Sequence, residues 1–469
     1  MNYEESVRAL FSLGRELAAP RQPARIPSTA TAPTSGVLPV QKFGLENIKI
    51  LAEALGSPHL AVPCAHISGT NGKGSTAAML ESILRAAGLR TGLYTSPHLE
   101  VINERIRING EDISDELFAS VWTRVSAAIE SLMASGELAA HPTFFECVTA
   151  MAFVVFADLK VDFAIYETGM GGRFDATNIV APKVAIITPI DFDHENYLGH
   201  SIEEIAGEKA GIIKASVPVV SSVERPEARA VIATRCAEVN AALLEVSSAW
   251  QVRNLKVSNG LYSAEATFAQ TSNKINLAPG LPGRFQIQNA LAAATAGILL
   301  AGQGFKVGDE AIARGIATVR WPGRLERISQ RPDVYVDGTH NPAGARELLS
   351  FWKENFDGRR IFLVYGAMRD KAVDEIASLL FARAEAVIFT TSRQPRAISA
   401  PLLSEIAGHF AKQSFMVSDP AQAIDRALEL AAPDDAIFVT GSLYLVGEVL
   451  GFWPRRHGRK MIAEPPSNP

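Results

Sequence analysis

Short apolar runs alternate with amphipathic stretches between residues 62 and about 222. The runs 61–67, 91–94, 161–166, 184–188 and 217–220 have the length and β-branched content of strands, and the segments between them carry helical periodicity. Such alternation predicts an α/β fold with a mainly parallel, doubly wound sheet. Residues 242–278 differ, with two-residue alternation and the polar turn Val257-Ser258-Asn259-Gly260, so they predict a small accessory antiparallel sheet ahead of a helix at 285–301. After Trp321-Pro322-Gly323 the strand and helix alternation restarts, with runs at 334–336, 361–364, 386–390 and 436–439. This predicts two units. The first spans 1–321, and a smaller Rossmann-like α/β unit spans 322–469. Residues 20–39 hold five prolines and no acidic residue and predict a mobile loop, and 454–469 predict a disordered tail.

Composition narrows the function classes. The 469 residues carry a net charge of -5, and Lys and Arg are scattered, so there is no electrostatic footprint for nucleic acid. The three cysteines, Cys64, Cys147 and Cys236, form no paired motif, which fits a reducing compartment and excludes a zinc ribbon. The first residues lack signal-peptide character, and no uncharged apolar run approaches the ~20 residues of a membrane helix. A cytoplasmic protein without membrane insertion is expected.

The most informative segment is Gly69-Thr70-Asn71-Gly72-Lys73-Gly74-Ser75, between a strand-like run and a helix expected at 76–87. Glycines let backbone N–H groups converge on an anion, the helix N-terminus adds partial positive charge, Lys73 adds a full one, and the Ser75 hydroxyl can ligate magnesium. The spacing departs from the common nucleotide triphosphatase loop: two residues separate Gly69 from Gly72, and Gly74 stands between Lys73 and Ser75. An ordinary glycine-rich turn is the alternative.

Four further segments carry candidate chemistry. Glu146 opens the apolar stretch 147–156; it is a candidate magnesium ligand, or else a first-turn glutamate favoured by the helix dipole. Asp193-His194 follows the strand 184–188, where open α/β sheets place ligand groups, with Lys209 downstream. Gly169, Gly171, Gly172, Arg173 and Asp175 follow another strand end and read equally as a polar ligand site or a tight turn. Asp337-Gly338-Thr339-His340 ends the strand 334–336; Asp337 could hold ribose hydroxyls and His340 could approach phosphates or an amino acid, or the segment is an Asx turn capping the next helix.

Taken in order, HISGTNGKGST (66–76), YTSPHL (94–99), ERIRING (104–110), TFFE (143–146), GMGGRFDATN (169–178), DFDHENYLG (191–199), EKAGII (208–213), LPGRFQIQNA (281–290), WPGRLE (321–326) and DGTHNP (337–342) closely resemble folylpolyglutamate synthase and dihydrofolate synthase, a branch of the Mur ligases. The resemblance runs from about 42 to 450; only 20–39 departs from it. It implies an ATP-dependent ligase in which a pteroate or folate carboxylate is phosphorylated and the acyl phosphate is attacked by the amine of L-glutamate. It also implies residue roles: Gly69 to Thr76 and Lys73 on the phosphates, and Ser75 and Glu146 on one Mg²⁺. His194 and a carbamylated Lys209 would hold a second. Asn289, Arg324 and Asp337 would contact the nucleotide, with His340 near the reacting groups. The pterin would lie near Ser96, Pro97, His98, Thr143, Phe145, Gly172, Arg173 and Asp175. A monomer is implied.

The resemblance leaves the acceptor open among dihydropteroate, reduced folates or both, with the compact chain favouring both. Two rivals remain. A peptidoglycan-type Mur ligase would need a UDP-binding domain, for which the 68 residues before Gly69 leave little room. A non-ligating nucleotide switch would need no second strand-end metal group.

Overall fold

The computed structural model describes residues 1–13 and 44–457, so the expected loop 20–39 and the end of the chain from 458 lie outside the described residues. Strands are β1 (Cys64–Ser68), β2 (Thr91–Tyr94), β3 (Ile106–Ile108), β4 (Glu111–Asp112), β5 (Phe163–Glu167), β6 (Val184–Ile187), β7 (Val219–Ser221) and β8 (Leu243–Glu245). They form one sheet in the order β4-β3-β2-β5-β1-β6-β7-β8. The six strands from β2 to β8 in that order are parallel, and β3 and β4 add an antiparallel edge. Strands β1, β5 and β6 are buried throughout, as expected of strands covered by helices on both faces. The chain leaves β1 for β2 on one side, returns through β5, and later continues to β6 on the other side of β1. The loops leaving β1, β5 and β6 therefore meet at the carboxyl edge, where this architecture opens a crevice.

A second sheet, β9 (Trp250–Ser258), β10 (Leu261–Phe268) and β11 (Lys274–Leu277), is antiparallel in the order β11-β10-β9. The expected accessory sheet thus exists, but it starts at Trp250. Residues Leu243–Glu245 instead extend the parallel sheet, because three half-buried residues are too few to show a period. A third sheet holds β12 (Glu326–Ser329), β13 (Asp333–Val336), β14 (Ile361–Tyr365), β15 (Ala386–Phe389), β16 (Ser414–Met416) and β17 (Ala436–Thr440). Its order is β12-β13-β17-β14-β15-β16, parallel except for β12.

Three expectations need correction. The helix after the phosphate loop begins at Lys73, inside the motif, since Gly72 takes the left-handed conformation that starts it. The final helix, Leu443–His457, runs through Pro454, so 454–457 are helical; buried Trp453 anchors this last turn. The uncharged stretch Phe285–Gly302 does reach 18 residues and is long and apolar enough to cross a membrane by length and composition. Two thirds of it is buried in the fold, where it packs against the helix Lys73–Ala86, so its apolarity is that of a core helix.

Candidate functional site

A cleft of ≈ 500 Å³ opens between the first and third sheets. Its floor is the loop Gly69–Ser75, which leaves β1 and enters the helix Lys73–Ala86. The first-turn N–H groups of such a helix have no partner within it and are available to an anion. Two loop amides are used differently, because Thr70 and Asn71 both donate to the Pro189 carbonyl at 2.8 and 3.3 Å and so hold the loop against the strand-end β6 turn. Gly69 and Gly72 are obligatory by close approach. A Cβ on Gly69 would lie 1.9 Å from Thr188 Oγ1, and one on Gly72, at φ +84°, 2.5 Å from Asn289 Oδ1. Thr76 lies buried one turn into the helix rather than in the cleft wall.

Positive charge is concentrated here. Lys73 Nζ donates to the carbonyls of Gly69 and Thr70, each at 3.0 Å, and Lys209 Nζ donates to the same Gly69 carbonyl at 2.8 Å. Burial, and then the charge of Lys73, push the Lys209 ammonium down to about 7, against the opposing pull of Asp193 and Asp175. Lys73 is lowered too, chiefly by burial, although Glu167 and Asp193 favour its charge. His194, in the left-handed conformation at φ 54°, lines the cleft; burial and the nearby Lys371 push it down to about 3, so it is neutral. Its Nδ1 is buried without a hydrogen-bond partner, as suits a nitrogen reserved for a ligand.

Of the two glutamates Glu146 and Glu167, it is Glu167 that lines the cleft. Glu146 is absent from the cleft wall, and its Oε2 accepts the Thr143 N–H at 2.7 Å and hydroxyl at 2.8 Å. Thr143 Oγ1 in turn accepts the Glu146 N–H, so the two close a capping box on the helix Phe144–Asp158. Glu167 ends β5, paired beside Ile67 of β1, and lines the cleft with its Oε2 accepting the Ser96 N–H at 3.3 Å. Parallel register, invisible in one sequence, puts it next to the phosphate loop.

The expected pterin group is only partly assembled. Ser96 and Pro97 line the cleft. His98 accepts from Arg105 Nε at 2.8 Å, and Phe145 packs its ring over Gly169, where a Cβ would sit 2.6 Å from Phe145 Cζ. The segment Gly172 to Asp175 is a structural turn. Gly172 is pressed against the Lys209 and Glu208 carbonyls, and Arg173 turns outward to Glu208 at 3.1 Å. Asp175 is buried, its oxygens accepting from Met170 N and Thr177 N and Oγ1; burial raises it to about 6.

The opposite wall comes from the third sheet. Arg324, Asp337 and His340 line it, together with Asn289 from the helix Phe285–Gly302. Asp337 is tied into a turn, accepting from Thr339 N and Oγ1 and from Leu325 N, while Asn341 caps the following helix through Gly344 N. Sequence reasoning missed how the walls meet. Asp193 receives Lys371 Nζ at 2.6 Å, Asn341 Nδ2 at 3.2 Å and His340 Nε2 at 3.4 Å, and Asn71 and Asn341 exchange side-chain hydrogen bonds. Burial alone would raise Asp193, but the His340 bond and the Lys371 charge hold it well below the usual carboxylate range. Among the described residues, no three His, Cys, Asp or Glu side chains cluster as a self-sufficient metal site.

Residues 67–297 match the Mur ligase middle domain, and 323–443 match the Mur ligase, glutamate ligase domain. The dihydrofolate synthase/folylpolyglutamate synthase of Bacillus subtilis is 38% identical over 412 residues, covering 87% of this chain and 94% of that protein. Its Escherichia coli counterpart is 34% identical over 87% of this chain and 90% of its own length. A Mycobacterium tuberculosis folylpolyglutamate synthase complexed with ADP and AMPPCP superposes with a TM-score of 0.82 at 34% identity, covering 88% of this chain and 96% of that one. E. coli FolC in complex with DHPP and ADP gives 0.81 at 30% identity, covering 97% and 98%. Matched on both sides of the cleft and aligned over most of its length with these relatives, the chain belongs to the folylpolyglutamate synthase and dihydrofolate synthase family of Mur ligases.

Proposed function

We propose that the chain is an ATP-dependent ligase that adds L-glutamate to dihydropteroate and to reduced folates, releasing ADP and phosphate. The observation that carries this reading is one cleft in which a phosphate loop with Lys73 faces Glu167, His194 and Lys209 from the first sheet and Arg324, Asp337 and His340 from the third. A carboxylate is a poor acylating agent because oxide is its leaving group. Transfer of the γ-phosphoryl group to the acceptor carboxylate makes an acyl phosphate; the glutamate amine then attacks the acyl carbon, the C–O bond to phosphate breaks, and the amide forms. Such chemistry asks the protein for positioning and charge neutralisation rather than a covalent nucleophile. Lys73 can swing from the Gly69 and Thr70 carbonyls onto phosphate oxygens, and Arg324 adds charge from the opposite wall.

The donor set fits magnesium: the Ser75 hydroxyl, the Glu167 carboxylate and the orphaned nitrogen of neutral His194, completed by phosphate oxygens. Bound there, the ion supplies charge neutralisation to the phosphates. Lys209 in its carbamylated form would join this set, since a lysine brought to about 7 has a neutral fraction able to add CO₂ and exchange a repelling ammonium for an oxygen ligand. The division at 321/322 into a nucleotide-binding and a glutamate ligase unit, a monomeric state and a cytoplasmic location complete the proposal; free, buried cysteines support the last.

The decisive assay is ADP release with ATP, Mg²⁺ and L-glutamate, comparing dihydropteroate with a reduced folate. Turnover with both acceptors is expected; turnover with one restricts the assignment, and glutamate-independent hydrolysis overturns it. Gly72→Ala tests the phosphate loop. Left-handed backbone strain of ~1–2 kcal/mol and the contact with Asn289 predict nucleotide binding weakened about tenfold or more by titration calorimetry.

A further inference from the structure

Gly74 is the residue that sets this phosphate loop apart in sequence, and its backbone does not explain it. It lies in the first turn of the helix Lys73–Ala86 without a positive φ, so alanine would suit the helix better by ~1 kcal/mol. Space explains it instead. A Cβ on Gly74 would lie 3.0 Å from Trp321 Nε1 and 3.4 Å from Cε2 and Cζ2. Trp321 belongs to the linker Trp321-Pro322-Gly323, which carries the chain out of the helix Asp309–Thr318 and into β12 and Arg324. The indole is half-buried and packed against the core of the first sheet, and the Arg107 guanidinium lies over its ring at 4.7 Å from the centroid. Arg107 is itself held by Asp112 at 2.6 Å. The linker is thereby clamped between the β3–β4 edge and the phosphate-loop helix. Two residues on, Gly323 sits at φ 71° against Leu99 and Val446, a turn that only a glycine takes without strain.

We propose that Trp321 is a positioning residue of the ligation reaction: seated on the phosphate-loop helix in the gap left by Gly74, it couples that loop to the linker and sets where the opposite wall carries Arg324, Asp337 and His340. The proposal rests on the ligase reading above. It assigns Gly74 a task apart from phosphate contact. A side chain there pushes the indole by a few tenths of an ångström, and the linker passes the displacement to every group beyond it. Because misplacement of reacting groups by ~1 Å can lower a rate by ~10²-fold, such a shift acts on kcat more than on nucleotide binding.

The test is a double-mutant cycle of Gly74→Ala and Trp321→Phe in the full chain, reading kcat, nucleotide affinity and the change in tryptophan emission on adding AMPPCP with Mg²⁺. Each single variant is expected to lower kcat by about tenfold, and the nucleotide affinity of Trp321→Phe stays within about threefold of the parent. The double variant should be no slower than Trp321→Phe alone, since the phenyl ring withdraws the indole edge that the new methyl meets. The nucleotide-induced emission change should be lost in Trp321→Phe. Additive losses in the cycle, kcat falling only in step with nucleotide affinity, or an emission change retained in full in Trp321→Phe would each overturn the proposal. A parent chain without glutamate-dependent turnover overturns the ligase reading instead, and the coupling is then decided by the emission change and by whether the effects on nucleotide affinity are non-additive.

Discussion

Glu167→Gln is expected to lower ligase turnover by ~10²–10³-fold and to raise the Mg²⁺ concentration needed for half-maximal rate, while Glu146→Ala leaves turnover within about twofold. The amide keeps an oxygen for the Ser96 N–H, so the substitution removes the charge and keeps that contact. That charge favours the cationic forms of Lys73 and Arg324 and is the only carboxylate of β5 facing the cleft. Glu146 acts elsewhere. Removing it opens the capping box with Thr143, and the expected effect is a loss of ~0.5–2 kcal/mol of stability in urea unfolding. A magnesium dependence that shifts in Glu146→Ala and not in Glu167→Gln would reverse the assignment.

The different places of these two glutamates show what one sequence reveals. Thr143-x-x-Glu146 ahead of an apolar run is itself the capping-box pattern, so the signal that assigns Glu146 to helix initiation was present in the residues. Glu167 was hidden differently. Its position beside Ile67 depends on the parallel pairing of β5 with β1, which are about a hundred residues apart, and no local pattern encodes that register. The phosphate loop was legible because its chemistry is contiguous: three glycines, Lys73 and Ser75 act within one turn. At Gly172, Arg173 and Asp175, which read equally as a ligand site or a tight turn, the glycines and polar groups build a turn around Thr177 and Glu208.

The fold followed the same rule. Apolar runs such as those of β1, β5 and β6 declare buried strands, whereas β3 and β8 are three residues long and only partly buried and β4 is two exposed residues, all too short to carry a period. The contacts joining the cleft walls are the least legible of all. Asp193 pairs with Lys371, and Asn71 with Asn341, across separations of 178 and 270 residues. Lys371 alone reads as an ordinary loop residue, and nothing local to Asp193, Asn71 or Asn341 announces its partner.

Lys209→Met is expected to lower kcat by ~10²–10³-fold, and a small added carboxylate such as acetate should restore part of the loss by standing in for the carbamate oxygen. The parent should carry the mass of one added CO₂ in intact-mass measurements from bicarbonate buffer and lose activity when CO₂ is depleted. The sign of the pH effect follows from burial. Lys209 is brought to about 7 in the folded chain, against ~10.4 for an unfolded lysine, so between these values the unfolded chain binds the extra proton. Unmodified, this residue therefore makes stability rise with pH from about 7 to ~10.4, and below pH 7 it contributes a constant destabilisation that methionine removes. Lys209→Met should accordingly unfold at a urea concentration no lower than the parent at pH 6, with a flatter dependence above pH 7. Loss of turnover together with unchanged or higher stability assigns the residue to chemistry; loss of both would make Lys209 a structural prop for the Gly69 carbonyl it bonds.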